Sequence, residues 1–350
     1  MNITSFGKAL QVKGPTIYRW YRDVLSEYAQ DKSIMHKHDI IRGDKAGTII
    51  EVPILRAENF GEKMAIDEKH IGDDICTVIS NRETGKIAML TKSLNYSDIK
   101  DIFLRNKPLL SNIKSITRDF SGLFEKVCTE LIPKATQIGD KFHVISNLMD
   151  AHQSVRIRYR QKELEKRRKA YQEFKLTEQA RLKECERSGQ KFKSDKFHYK
   201  EDRMDNGETL LEILARSRYL LYKYPGQWNT KQKRRAEVLF NTYPEIQQTY
   251  HLCNQFRILM STSNIGKHYL QIDQELHQWY ENIELSDIDE LMNFKSQVES
   301  NEDIIRNYFI NGDTNAVAEA INSKIQKLIT SNNGNRDKDF FFFRLGLYYA

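Results

Sequence analysis

A short apolar run, MAID at residues 64–67, ends on two adjacent carboxylates, Asp67 and Glu68. A carboxylate at the end of a core strand needs a partner, because an uncompensated buried charge is costly. Taken alone, the pair reads as a strand-end turn or a surface ion pair, but other acids keep it company. The stretch IKSIT ends at Asp119, and a helix expected from about residue 315 to 329 carries Glu319. On that helix Glu319, Asn322 and Gln326 share one face while Ile321, Ile325 and Leu328 form the apolar face. Three carboxylates on two strands and a helix suit phosphoryl transfer on two Mg²⁺ ions about 4 Å apart, since Mg²⁺ takes hard oxygen ligands and keeps several waters. With 48 Asp and Glu in the chain, spacing alone does not single out this triple.

The elements that must position these acids can be read in order. MAID, DICTVIS and KIAMLT are three candidate strands, the last two joined by the turn-like NRETG. A helix from about Ser97 to Arg105 follows, then the strand ending at Asp119, a helix from Ser121 to Leu131, and the strand TQIGD ending at Asp140. The order βββαβαβ predicts a mixed sheet flanked by helices. Sequential strands usually lie close in space, so Asp67 and Asp119 can face one cleft.

From residue 143 to about 300 the pattern is helical. The stretch RIRYRQKELEKRRKAYQEFKLTEQARLKECER has too few apolar positions for a deeply buried helix; it reads either as a solvated helix pair or as a basic arm along a phosphate backbone. GQKFKSDKFHYKEDRMDNGE reads as a loop. Leu210, Leu214, Leu221 and Leu239 then read as core on better-striped helices, and Trp228 in the turn YPGQWN as a loop anchor rather than a base-stacking platform. The last fifty residues resume the earlier domain, with a turn at 311–313 and an aromatic run, FFFFRLGLYYA, that must be buried. At the other end, a helix, a Gly14-Pro15 turn and a second helix from near Thr16 place Ile17, Trp20, Tyr21 and Leu25 at helical spacing. This outlines a helix-turn-helix, though any helical hairpin gives the same pattern. The domains expected are a helical head and linker (1–60), a first core segment (61–142), a helical insertion with a basic arm (143–300) and a second core segment carrying the third acid (301–350).

Composition narrows the function classes. A chain of 350 residues can bury one large core or two ordinary ones. It has no apolar run of membrane-spanning length, and its start lacks the pattern of a secretory leader. Four cysteines stand far apart without CxxC spacing, signalling neither a zinc site nor a disulfide framework, so a reducing cytoplasm is the expected location. The net charge is +7, and residues 151–200 hold 16 Lys and Arg against 7 Asp and Glu. That segment alone carries the basic excess, as a phosphate-contacting surface would.

Several segments together resemble one family: AIDE at 65–68, SITRDFSG at 115–122, PKATQIGDKFHVISNLMDAHQSVRIRYR from Pro133, NGETLLEILARSRYLLYKYPGQWNTKQKRRAEVLFNTYPEI from Asn206, and TNAVAEAINSKIQKL followed by FFFFRLGLYYA. The chain is similar to bacterial insertion-sequence transposases of the DDE type, in the group where a separate, short DNA-reading protein precedes the catalytic one. The resemblance implies an α/β fold: an RNase H-like mixed sheet with flanking helices, interrupted by a large all-helical insertion, plus the small helical head. It implies Asp67, Asp119 and Glu319 as the catalytic, metal-binding triad for two Mg²⁺ ions, with Mn²⁺ able to substitute. Asp140, His143 and Asn322 are supporting residues, Glu68 either points outward or stands behind the metal ligands, and Arg156, Arg158, Arg160, Lys166, Arg167 and Arg168 are candidate phosphate contacts. The reaction implied is cleavage at the ends of an insertion sequence in double-stranded DNA, then strand transfer into a target, by a homo-oligomer that pairs two ends. Two alternatives keep part of this: a catalytically silent, transposon-derived DNA-binding protein, and an RNase H-like nuclease without strand transfer. The sequence departs from the family pattern at Phe120-Ser121 and in the short NRETGK loop, and neither change removes a ligand.

Overall fold

A computed structural model describes residues 7–28, 36–40, 48–312, 316–331 and 337–350. The expected turn at 311–313 and the Asn and Gly break before the aromatic run extend outside them. The chain divides into two compact units, Met1–Val144 with Asn301–Ala350, and Ile145–Ser300.

In the first unit, helix α1 (Gly14–Trp20) carries Pro15 in its first turn, where a missing N–H is harmless. A π turn over Tyr21–Leu25 follows. The wider turn redirects the face expected from simple helical spacing. Ile17 is buried, while Trp20 and Leu25 are exposed. It is Tyr18, Tyr21 and Tyr28 that pack edge-on against Phe340, with Tyr28 also meeting Phe343.

Strands β1 (His36–Ile40) and β2 (Thr48–Val52) pair antiparallel. The main sheet contains β3 (Ile54–Leu55), β4 (Lys63–Ile71), β5 (Asp74–Asn81), β6 (Lys86–Thr91), β7 (Ser115–Arg118) and β8 (Thr136–Gly139), in the spatial order β3-β6-β5-β4-β7-β8. The three strands of the meander pair antiparallel, and β7 and β8 add in parallel. Helices α2 (Tyr96–Arg105) and α3 (Lys107–Leu110) lead into β7, and α4 (Gly122–Leu131) joins β7 to β8. This is the expected mixed sheet with flanking helices. One detail differs: β4 does not stop at Asp67 but runs on to Ile71, because a two-residue turn with Gly72 at φ +64° returns the chain directly into β5. A positive φ at the first turn residue suits glycine and matches the twist of a hairpin.

Each face of the sheet has its own core. Met64, Ile66, Ile79 and Met89 pack with Ile99, Ile102, Phe103, Phe124 and Val127 from α2 and α4. On the opposite face Ile71, Cys76, Val78 and Leu90 pack with Ile321, Ile325, Phe341, Phe342 and Leu345. The latter residues come from α13 (Ala316–Ser331) and α14 (Lys338–Tyr349), so the aromatic run is buried as expected and is helical. A further helix, α12 (Glu302–Asn311), lies against β8, with the Asn307 amide donating to the Gln137 carbonyl at 2.8 Å.

The second unit is helical. Helix α5 (Lys141–Ser188) has its first four residues in the first unit and is one continuous helix of 48 residues rather than a pair, about 72 Å long at 1.5 Å per residue. An irregular segment, 189–208, follows; Phe197 from it packs on Tyr171 and Phe174 of α5. The rest is α6 (Leu210–Arg216), α7 (Arg218–Leu221), α8 (Thr230–Thr242), α9 (Pro244–Leu259), α10 (Tyr269–Ser286) and α11 (Asp289–Ser300). Leu214, Leu221 and Leu239 are fully buried and Leu210 partly so. Trp228 anchors its turn, its indole N–H donating to the Leu220 carbonyl at 3.0 Å. Among the described residues no helix is long and apolar enough to cross a membrane.

Candidate active site

Side chains alternate across a strand, so Met64 and Ile66 face one core while Asp67 and Ile71 face the other. Asp67 therefore lies on the α13 side of the sheet, 8 % exposed and opposite Val78 of β5. The parallel register of β4 on β7 pairs Met64 with Ile116 and Ala65 with Thr117. Continued two residues, that register sets Asp67 level with Asp119. Asp119 sits just past the end of β7 and turns the chain into α4, its Oδ1 accepting the Ser121 N–H at 2.8 Å.

Three further groups gather at Asp67. Its Oδ1 accepts the Glu68 N–H at 2.8 Å and faces His143 Nε2 at 3.4 Å. Asn322 of α13 donates its amide to Oδ2. His143 also faces Asp140 Oδ2 at 3.8 Å; both residues come from the β8–α5 junction, where Asp140 Oδ1 accepts the Phe142 N–H. Glu68, on the other side of the strand, is exposed and faces His70 at 3.1 Å. Glu319 lies one helical turn before Asn322 and is exposed, within the electrostatic reach of Asp140, His143 and Lys141. The direct contact from α13 to Asp67 is thus made by the amide, with the acid beside it.

The charges of these groups are interlocked. Burial on its own would raise the Asp67 carboxyl, but hydrogen bonds and charge from His143, with Asn322 and the Glu68 N–H, outweigh it and hold the group below its ordinary value. Asp119 is pushed up, chiefly by burial and also by the negative charge of Asp67. Glu319 is raised by burial and by Asp140. Bonding to Asp67 lifts His143 to about 9 against the opposing effect of burial, with Asp140 and Asp119 adding to the rise. The acids thus favour positive charge among them, which is what raises His143.

Two arginines that sequence reasoning overlooked fix the acid-bearing strands. Arg82, buried after β5, donates from Nε to the Met64 carbonyl at 3.0 Å and from Nη2 to Ser115 Oγ at 2.7 Å. It therefore ties β4 to β7. Arg118, also buried, donates from Nε to Gln137 of β8 at 2.6 Å and from Nη1 to the Asp119 carbonyl at 2.9 Å. The signal available was an arginine beside a turn or at a strand end, a placement too common to stand out.

Among the described residues no three His, Cys, Asp or Glu side chains converge into a metal cage. The donor chemistry nonetheless suits a hard dication: Asp67 is held below its ordinary value, Asp119 is raised by burial and by the charge of Asp67, and both offer oxygen ligands. Of the candidate phosphate contacts, two serve the fold. Arg156 is buried and bonds to Gln153 and the Leu214 carbonyl; Arg158 is clamped by Glu245 and Glu290. Lys166, Arg167 and Arg168 are largely exposed, each facing a glutamate, and Arg160 lines a groove on the second unit.

No curated protein and no solved structure matches the chain. A family model described as a transposase, of the DDE type in the ISL3 group, matches residues 64–345, a span that takes in Asp67, Asp119, His143, Glu319 and Asn322.

Proposed function

The chain belongs to that transposase family, and from this premise we propose that it cuts DNA at the ends of an insertion sequence and joins the freed strand to a target, with Asp67, Asp119 and Glu319 holding two Mg²⁺ ions. The observation that carries the reading is the meeting at Asp67 of groups far apart in the sequence: His143 from the β8–α5 junction and Asn322 from α13. An isolated strand carboxylate would not need such partners.

Bound divalent ions would activate the attacking oxygen and offset charge on the leaving oxygen of a phosphodiester. The chain's own residues do the rest. Asp67, held ionised and fixed through both oxygens, is the ligand least free to move. Asp119 is aimed by the Ser121 N–H and by the hold of Arg118 on its carbonyl. Asn322 ties the Glu319 helix to the sheet, and His143 keeps a proton on the nitrogen that faces Asp67. Water cuts the strand first, and the freed 3′ hydroxyl then attacks target DNA in line. Neither step needs a covalent enzyme intermediate, and burial pushes the Cys76 and Cys128 thiols up to about 12, which leaves them poor nucleophiles. Pairing two ends calls for a second copy, and recognition of the end sequence for the separate DNA-reading protein.

A joining assay with pre-cut ends tests the transfer step. The wild-type chain with Mg²⁺ should link the 3′ end to a target duplex and Glu319→Gln should not. Cleavage without any joining would leave a nuclease instead.

A further inference from the structure

Two half-buried arginines of the second unit are neutralised by carboxylates, while a third, Arg257, lies over the Tyr224 ring and donates to Asn254. Arg158 faces Glu245 and Glu290, and Arg235 donates from two nitrogens to Glu208 at 2.7 and 2.8 Å. Arg156 is more deeply buried than these. It is 6 % exposed, yet its guanidinium donates only to neutral oxygens, from Nε to Gln153 Oε1 and from Nη1 to the Leu214 carbonyl, both at 2.7 Å. The charges acting on it are mostly of its own sign, from Arg160 and Arg218. Gln153 joins this group together, since its amide also reaches the Arg218 carbonyl at 3.4 Å. Among the described residues neither Arg160 nor Arg218 makes an ion pair with a carboxylate.

A buried charge without a countercharge is costly, and the like charges of Arg160 and Arg218 act unfavourably on Arg156. A chain with 48 acids could have supplied one here, as it does for Arg158. Arg160 further lines an open groove of about 510 Å³ with Arg167 and Arg216. The acids of that groove, Glu201 and Glu212, already face Arg167 and Arg216 respectively. Among the described residues, then, no carboxylate pairs with Arg156, Arg160 or Arg218.

We propose that Arg160 and Arg218, backed by buried Arg156, clamp the phosphate backbone of duplex DNA along this side of the helical unit. Guanidinium forks match phosphate oxygens in geometry and stay charged at every working pH. The proposal rests on the transposase reading for its choice of DNA as the polyanion, and it assigns Arg156 a supporting role behind the two groups that touch phosphate.

Phosphate contacts are independent of sequence, so a labelled duplex of arbitrary sequence is a sufficient probe. Its affinity for the full-length chain is measured against KCl concentration in EDTA, where no cleavage occurs. The double variant Arg160→Ala/Arg218→Ala should bind more weakly, and the slope of log affinity on log salt should fall by about 1 for each arginine removed. Lys107→Ala, which removes an exposed charge from α3 outside the basic run, should leave the slope unchanged, and circular dichroism should show all three proteins folded alike. An unchanged slope in the double variant, or an equal loss in Lys107→Ala, overturns the clamp and leaves the cleavage reading standing. If the wild-type chain binds no duplex at all, the transposase reading falls and the clamp with it.

Discussion

At the scale of single residues, Asn322 and His152 make opposite uses of a polar group. Asn322 holds a carboxylate in place from 255 residues away in sequence. Its loss in Asn322→Ala should lower metal-dependent cleavage by about 10–100-fold, the usual effect of removing a group that orients a metal ligand, with little change in urea midpoint. His152 is fully buried beside Tyr250, and both its ring nitrogens lack a hydrogen-bond partner among the described residues. Burial, with the charges of Arg156 and Arg257, drives it down to about 3. The unfolded chain therefore takes up a proton near pH 6.5 that the fold refuses. The stability contributed by neutral His152 is complete above about pH 6.5 and is lost as pH falls toward 3, at about 1.4 kcal/mol per pH unit. Urea titrations across that range should show this slope in the wild-type chain and a shallower one in His152→Leu.

At the scale of elements, the site depends on keeping β4 and β7 in register, and Arg82 does this by bonding to both. Arg82→Leu leaves the Met64 carbonyl and Ser115 hydroxyl without that donor. It should cost about 1–3 kcal/mol in urea unfolding and lower cleavage as well, whereas a purely structural loss would spare activity under conditions where the variant stays folded. Much at this scale was legible in the sequence. The meander, the helix at 96–105 and the strands ending at Asp119 and Asp140 follow from local alternation and turn residues, which need no knowledge of distant contacts. The extension of β4 past Asp67 was obscured because Glu68, Lys69 and His70 lack the apolar alternation of a half-buried strand. The head misled for a related reason: a π turn redirects the face that simple periodicity assigns to Trp20 and Leu25. The roles of Arg156 and Arg158 could not be read either, since a basic run does not reveal which of its members face carboxylates folded in from residues 245 and 290.

At the scale of the whole molecule, the acids belong to one compact unit built from both ends of the chain, and the basic run extends through the other. Metal should therefore act on folding as well as on chemistry. Binding to the folded state alone stabilises it by about 2.7 kcal/mol when the free ion is at a hundredfold its dissociation constant, so Mg²⁺ should raise the melting temperature of the wild-type chain and not that of Asp67→Asn. The most direct test of the account is strand cleavage at the element's own terminal sequence, with Mg²⁺, by the wild-type chain and by Asp67→Asn, Asp119→Asn and Glu319→Gln in parallel. The account predicts cleavage by the wild type and a fall of at least about 10²–10³-fold in each variant, the scale on which a preorganised charge-stabilising group is worth. Metal-dependent cleavage that survives in any of the three would contradict the site.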